Sequence, residues 1–184
     1  MVSILIDETI LLRSYQPDDA AALFRVTDAS RRHLRPWLGW VDNTTRQEHS
    51  LQFIQQSLLE LNQQQSLSLG IFRHQQIIGG IGMYNWDQQL KKAQVGYWIA
   101  QDFEGQGIVT RCAGRFVDFL FDRLKLNKIE LHYALTNKRS AAVCERLGAK
   151  TEGIIRTGCL VNGMPEDMVI TGILRTEWER LTEK

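Results

Sequence analysis

The most constraining stretch is Tyr97-Trp98-Ile99-Ala100-Gln101-Asp102-Phe103-Glu104-Gly105-Gln106-Gly107-Ile108-Val109-Thr110, which reads as a strand passing through a glycine turn straight into a helix. Val109, Ala113, Phe116, Leu120 and Leu124 recur at four, three, four and four residues, the mark of an amphipathic helix that starts where the glycines stop. Glycines let the backbone approach a ligand closely. The first turn of a helix presents unpaired N–H groups and the positive end of the macrodipole, so this order makes an anion site without lysine or arginine. A P-loop would carry Lys-Ser/Thr after its last glycine, where Ile108-Val109 stand, and a dinucleotide-binding turn would need a third glycine near Thr110. Neither fits, and Gly-x-Gly before a helix taken alone also suits a plain strand-to-helix turn.

Around this segment the pattern alternates between sheet and helix. A first strand is expected over 10–15, ended by Pro17, followed by a helix from Asp18 and Asp19 to about Ser30 with Ala20, Leu23 and Phe24 inward. Thr45 and Glu48 have capping-box spacing ahead of Leu51, Ile54, Leu58 and Leu61, which predicts a long helix over 45–62, and residues 35–40 between the two helices read as an aromatic turn. Strands are expected at 67–71, 77–84 and 94–99, and another through Ile129, Leu131 and Tyr133. A helix over 138–147 closes on Gly148 at the position of a left-handed cap, and Asn162-Gly163 marks a type I′ hairpin between 154–161 and 168–174. The expected fold class is α/β, a mixed sheet with flanking helices.

With 184 residues, 43% hydrophobic and 23% charged, the chain has the statistics of one globular domain, and no repeat or linker-like stretch divides it. Its 22 Lys and Arg against 21 Asp and Glu give no global field for nucleic acid, so no direct DNA binding is expected. Apolar runs are short, and Asp7 and Glu8 interrupt the stretch a signal peptide would need, so no membrane segment and a cytoplasmic location are expected. Cys112, Cys144 and Cys159 are odd in number and widely spaced, suiting neither a disulfide framework nor a zinc site; no metal is expected.

Residues 103–110, followed by Asn137-Lys138-Arg139-Ser140 and Leu147-Gly148-Ala149, resemble the two coenzyme A motifs of the GNAT N-acetyltransferase superfamily. Leu11-Leu12-Arg13 with Pro17-Asp18-Asp19, residues 33–38, Gly96-Tyr97-Trp98-Ile99 and the tail 153–174 resemble its RimL and RimJ branch, which acetylates ribosomal-protein N-termini. The resemblance covers nearly the whole chain, so residues 1–184 are taken as a single N-acetyltransferase domain with a mostly antiparallel central sheet. It implies acetyl-coenzyme A as donor, its pyrophosphate on the N–H groups of Gly105, Gln106, Gly107, Ile108, Val109 and Thr110, and pantetheine along Ile99 and Ala100. It also implies a protein N-terminus as acceptor, ribosomal in that branch, and a homodimer or larger assembly. One departure stands out: the superfamily loop begins with Gln or Arg where this chain has Asp102, and Glu104 immediately precedes Gly105.

Acetyl transfer to an amine needs a neutral nitrogen, a polarised thioester carbonyl and a proton for the departing thiolate. An α-amino group, with a reference pKa near 8, needs less help than a lysine near 10.4. Glu130 and His132 project from the strand face opposite Ile129, Leu131 and Tyr133, so Glu130 could take the amine proton through water, or be a solvated surface carboxylate. Asp167, Glu152 and Glu166 compete with it. The tyrosine that many superfamily members carry seven residues after the motif asparagine is replaced by Cys144, whose thiol could act as the acid or simply fill a helix interior. Asn137 and Ser140 could bond the pantetheine arm or hold a water, Asn137 also serving as a helix N-cap. Trp37 and Trp40 are candidates for the acceptor pocket beside the basic run Arg31-Arg32-His33-Leu34-Arg35, which otherwise is a solvated face. Besides an N-terminal acceptor, a small amine of polyamine or aminoglycoside type and a silent coenzyme A-binding module remain open.

Overall fold

The computed structural model describes residues 1–182. Two strands, β1 (Ser3–Leu5) and β2 (Ile10–Ser14), lead through a 3-10 turn at Pro17–Asp19 into helices α1 (Ala20–Ala29), α2 (Arg31–Leu34), α3 (Trp40–Asn43) and α4 (Gln47–Asn62). Then come β3 (Leu67–Arg73), β4 (Gln76–Asp87), β5 (Lys92–Ile99), α5 (Ile108–Asp122), β6 (Lys128–Ala134), α6 (Lys138–Arg146), β7 (Lys150–Val161), β8 (Met164–Leu174) and α7 (Arg175–Thr182). The strands form one eight-stranded sheet in the order β1-β2-β3-β4-β5-β6-β8-β7. It is antiparallel throughout except between β5 and β6.

Period-two and period-3.6 apolar patterns cover both sheet faces. On one face α5 buries Ile108, Cys112, Ala113, Phe116, Val117, Leu120 and Phe121 against strand residues that include Leu69, Ile81, Val95, Ile99, Ile129 and Leu131. On the other, Tyr15, Phe72 and Ile77 pack with Ala20 and Leu23 of α1 and Ile54 of α4. Each fully buried Leu, Ile or Phe contributes roughly 1.5–3 kcal/mol by leaving water.

What positions the site is where the sheet fails to close. β5 and β6 pair only at Lys92–Lys128, Ala93–Ile129 and Gln94–Glu130. Beyond that point residues 95–99 and 131–134 have no partner across the gap. The outer edge of β5 stays bonded to β4 up to Gly79–Ile99, and the outer edge of β6 stays bonded to β8 up to Ala134–Met168. Each strand is thus held from outside while the inner edges diverge, which leaves a notch through the sheet.

Several expectations are corrected by the packing. Thr45 is not a cap: α4 starts at Gln47 behind Arg46, which makes no side-chain cap bond, and Thr45 N donates to His49 Nδ1 at 3.2 Å. The first helix begins at Ala20, because residues 17–19 wind as the tighter turn that Pro17 starts. The aromatic turn spans 35–39, since α3 takes Trp40 as its first residue. The last hairpin is longer than expected, its strands interrupted by bulges at Thr151/Gly153 and Ile155/Cys159 that break the alternation on which the sequence pattern relied. Gly148 (φ 73°) adopts the left-handed cap, and Asn162 (φ 51°) with Gly163 (φ 77°) forms the two-residue hairpin turn.

Candidate active site

The notch opens into a cleft of about 1310 Å³ that reaches from the glycine loop to the β7–β8 hairpin. Gly105 (φ 69°) and Gly107 (φ 68°) are both left-handed, a conformation that costs other residues about 1–2 kcal/mol, and a Cβ on Gly105 would meet nothing within 4 Å. α5 begins directly after this double turn, and the first N–H in the helix with a main-chain acceptor belongs to Arg111, bonded to Gly107 O at 3.1 Å. Among the described residues, none of the N–H groups of 105–110 has a partner, so six consecutive donors at a helix start are available to a diphosphate. The donor set and the clear space over Gly105 fit the pyrophosphate of coenzyme A.

Of the residues expected on this side, Ile99, Gly105, Gly107, Ile108, Val109, Thr110, Asn137 and Ser140 line the cleft, whereas Ala100 and Gln106 do not. Ala100 is turned toward β4, its N–H bonded to Ile78 O at 2.8 Å. The Gln106 side chain folds back to Asp102 O and Arg73. Glu104, the carboxylate beside the loop, is held by Arg139 Nη1 at 2.8 Å and faces His33 Nε2 at 3.2 Å, so its charge is balanced within the wall. Asn137 caps α6, accepting from Ser140 N at 3.1 Å. Ser140 Oγ sits 3.0 Å from the hydroxyl of Tyr97, and burial pushes the Tyr97 phenol well above its ordinary pKa, which keeps its proton in place. The sequence pattern passed over Tyr97; its alternation with Ile99 was the available signal.

The other side of the notch is made of side chains. Trp37, 37% exposed, stands with Tyr84, Trp98, His132, Leu160 and Met168 around the opening. Trp40 does not line the cleft; it packs edge-on against Trp98 with ring centroids 6.0 Å apart and so supports the wall from behind. Glu104 is the sole carboxylate in the lining among the described residues.

Three candidate catalytic residues lie outside the lining. Glu130 is 8% exposed; its Oε1 receives Lys92 Nζ at 3.0 Å and Lys128 Nζ at 3.2 Å. Burial works against its ionisation, but these hydrogen bonds outweigh burial and hold the carboxyl below its ordinary pKa, the reverse of what a base near neutral pH needs. Cys144 is 2% exposed and its thiol is raised by burial, which suits a helix interior. Asp167 accepts Thr157 N at 2.9 Å and stabilises the β7 bulge. Cys159, which was not singled out, does line the cleft, near the carbonyls of Glu166 and Asp167.

Against known proteins, the family described as acetyltransferase (GNAT) domain matches residues 9–150. A Bacillus subtilis protein classed by name among ribosomal N-acetyltransferases, YdaF, is 33% identical over 97% of this chain and 98% of its own length. The ribosomal-protein-serine acetyltransferase of Escherichia coli is 20% identical over 90% of this chain and 93% of its own. RimL, the ribosomal L7/L12 α-N-protein acetyltransferase solved with coenzyme A, superposes with a TM-score of 0.92 at 22% identity, covering 96% of this chain and 99% of that one.

Proposed function

This chain belongs to the GNAT acetyltransferase family, and on that premise we propose that it transfers acetyl from acetyl-coenzyme A to the N-terminal α-amino group of a protein, a ribosomal protein foremost. The observation that carries the choice of acceptor is the missing acid. A polyamine carries several positive charges and needs carboxylates to meet them, yet the cleft lining holds Glu104 alone, already satisfied by Arg139 and His33. A chain terminus brings one ammonium followed by an amide backbone, which an apolar aromatic opening accommodates with little desolvation cost. The names of the two relatives given above point the same way.

Acetyl-coenzyme A supplies an activated acyl thioester when bound. Within the chain, the N–H groups of 105–110 hold the diphosphate, Ile99 flanks the pantetheine arm, and Asn137 fixes Ser140 at the start of α6. The Ser140–Tyr97 hydroxyl pair is placed to give a proton to the departing sulfur, the role for which Cys144 is too deeply buried. Trp37, with Trp40 supporting Trp98 behind it, orients the acceptor. No helix among the described residues is long and apolar enough to cross a membrane.

The test is release of free coenzyme A with a panel of N-terminal peptides, spermidine, an aminoglycoside and free lysine. Turnover on peptides, abolished by blocking their α-amino group, is expected. Faster turnover on spermidine than on every peptide would overturn the assignment.

A further inference from the structure

His132 Nε2 is one of two buried side-chain polar atoms without a hydrogen bond among the described residues. It lies 3.4 Å from Glu130 Oε2, within ion-pair reach though outside hydrogen-bond geometry. Glu130 Oε1 already takes both Lys92 and Lys128, and Lys128 is further bound to Glu152 at 2.6 Å, so Oε2 is left directed at the imidazole. The charged groups around the ring therefore come from β6 itself, from β5 and, through Lys128, from β7. β8 sets apolar Ile170 at the paired position.

The ring's position matters as much as its partner. Leu131 and Tyr133 pack toward α5, on the side of the glycine loop, so His132 projects from the opposite face, where Tyr84 and Met168 also line the cleft. It stands two residues past Gln94–Glu130, the last pair before β5 and β6 diverge. Residues 95–99 run from this apex to the glycine loop. The side chain is 14% exposed while Nε2 is buried, so its remaining access lies on the rest of the ring. His33, the other imidazole in the lining, faces Glu104 beside the loop instead.

We propose that His132 is the general base of the acetyl transfer, with Glu130 as the positioning residue that holds the Nε2–H tautomer and leaves Nδ1 for the acceptor. The assignment rests on the transferase reading above. Nδ1 takes one proton from the acceptor ammonium. The freed amine forms the C–N bond as the thioester C–S bond breaks, the Ser140–Tyr97 pair gives a proton to the departing sulfur and is restored by the surplus proton of the amine nitrogen, and the proton on His132 passes to solvent. Acetylated amine, coenzyme A thiol and one proton result.

The experiment pairs NMR of the imidazole nitrogens in the free chain with kinetics and acetyl-coenzyme A binding for His132→Ala, His132→Gln and Glu130→Gln. The wild-type ring is expected as the Nε2–H tautomer, with Glu130→Gln raising the Nδ1–H fraction. Both His132 variants should lose about a hundredfold in kcat and keep acetyl-coenzyme A affinity within about twofold because the loop is untouched. Retained donor binding shows that the variant is folded; should His132→Ala fail this control, His132→Gln and the wild-type tautomer decide. A His132 variant within about threefold of wild type, less than loss of a general base produces, or a wild-type ring carrying its proton on Nδ1, overturns the assignment alone. A wild type that turns over no amine overturns it together with the transferase reading.

Discussion

On the loop side the cleft borders the main-chain N–H groups of residues 105–110, which have no partner among the described residues, whereas on the opposite side it is lined by side chains gathered from the α2–α3 turn, β4, β5, β6, β7 and β8. The loop side depends on two backbone angles at Gly105 and Gly107. The opposite side depends on how far apart the sheet holds its strands. The first suits a donor whose diphosphate never changes, and the second can be rebuilt for a new acceptor by exchanging side chains while donor binding stays intact. The two halves should therefore respond to substitution separately.

The largest separation is expected from Gly107→Val. A β-branched residue at φ 68° is strained by about 1–3 kcal/mol and turns the loop N–H groups aside. Calorimetry should show acetyl-coenzyme A binding weakened about ten- to hundredfold, as that strain implies. On the acceptor side, Trp37→Ala removes a wall of the opening. Acceptor KM should rise about tenfold, the cost of one lost aromatic contact, with donor affinity unchanged; a matching fall in donor affinity would merge the halves. Arg139→Ala frees Glu104 beside the glycine loop. Because Arg139 is largely exposed, titration at low salt should show donor binding weakened only about threefold, and the difference should vanish at high ionic strength.

The smallest effect is on stability. Asp19 ties the start of the α1 side to β2: burial raises its pKa, but the paired hydrogen bonds from Arg13 and the Gln16 N–H outweigh this and hold the carboxyl below its ordinary value. Such a group stabilises the fold above its unfolded pKa, near 3.9, and the benefit is lost as pH falls through the lower folded value. Asp19→Asn should cost about 1 kcal/mol at pH 7, or roughly 2–4 °C in thermal melting. The gap to wild type should narrow as the pH falls below about 4.

The same contrast decides what could be read from residue order. The glycine turn, the α5 stripe, the Asn137 cap and the Asn162-Gly163 hairpin are local, each set by residues within a turn of one another, and the structure places them as expected. The roles of Glu130 and Trp40 depend on Lys92 and Trp98, which lie 38 and 58 residues away, so spacing alone could not show that one is enclosed by lysines and the other supports the wall from behind. Thr45 failed for a local reason: His49 Nδ1 took its N–H, and the helix began two residues later. Glu130 and His132 were correctly placed on one strand face, but only the pairing of β5 with β6 reveals that His132 reaches the cleft while Glu130 stops behind it.

The most direct measurement is tandem mass spectrometry of a peptide with an N-terminal serine and an internal lysine after incubation with the protein and acetyl-coenzyme A. A single acetyl group on the serine α-nitrogen and an unmodified lysine are expected. Acetyl on the lysine side chain, or an unmodified peptide under conditions in which spermidine is acetylated, would contradict the N-terminal assignment.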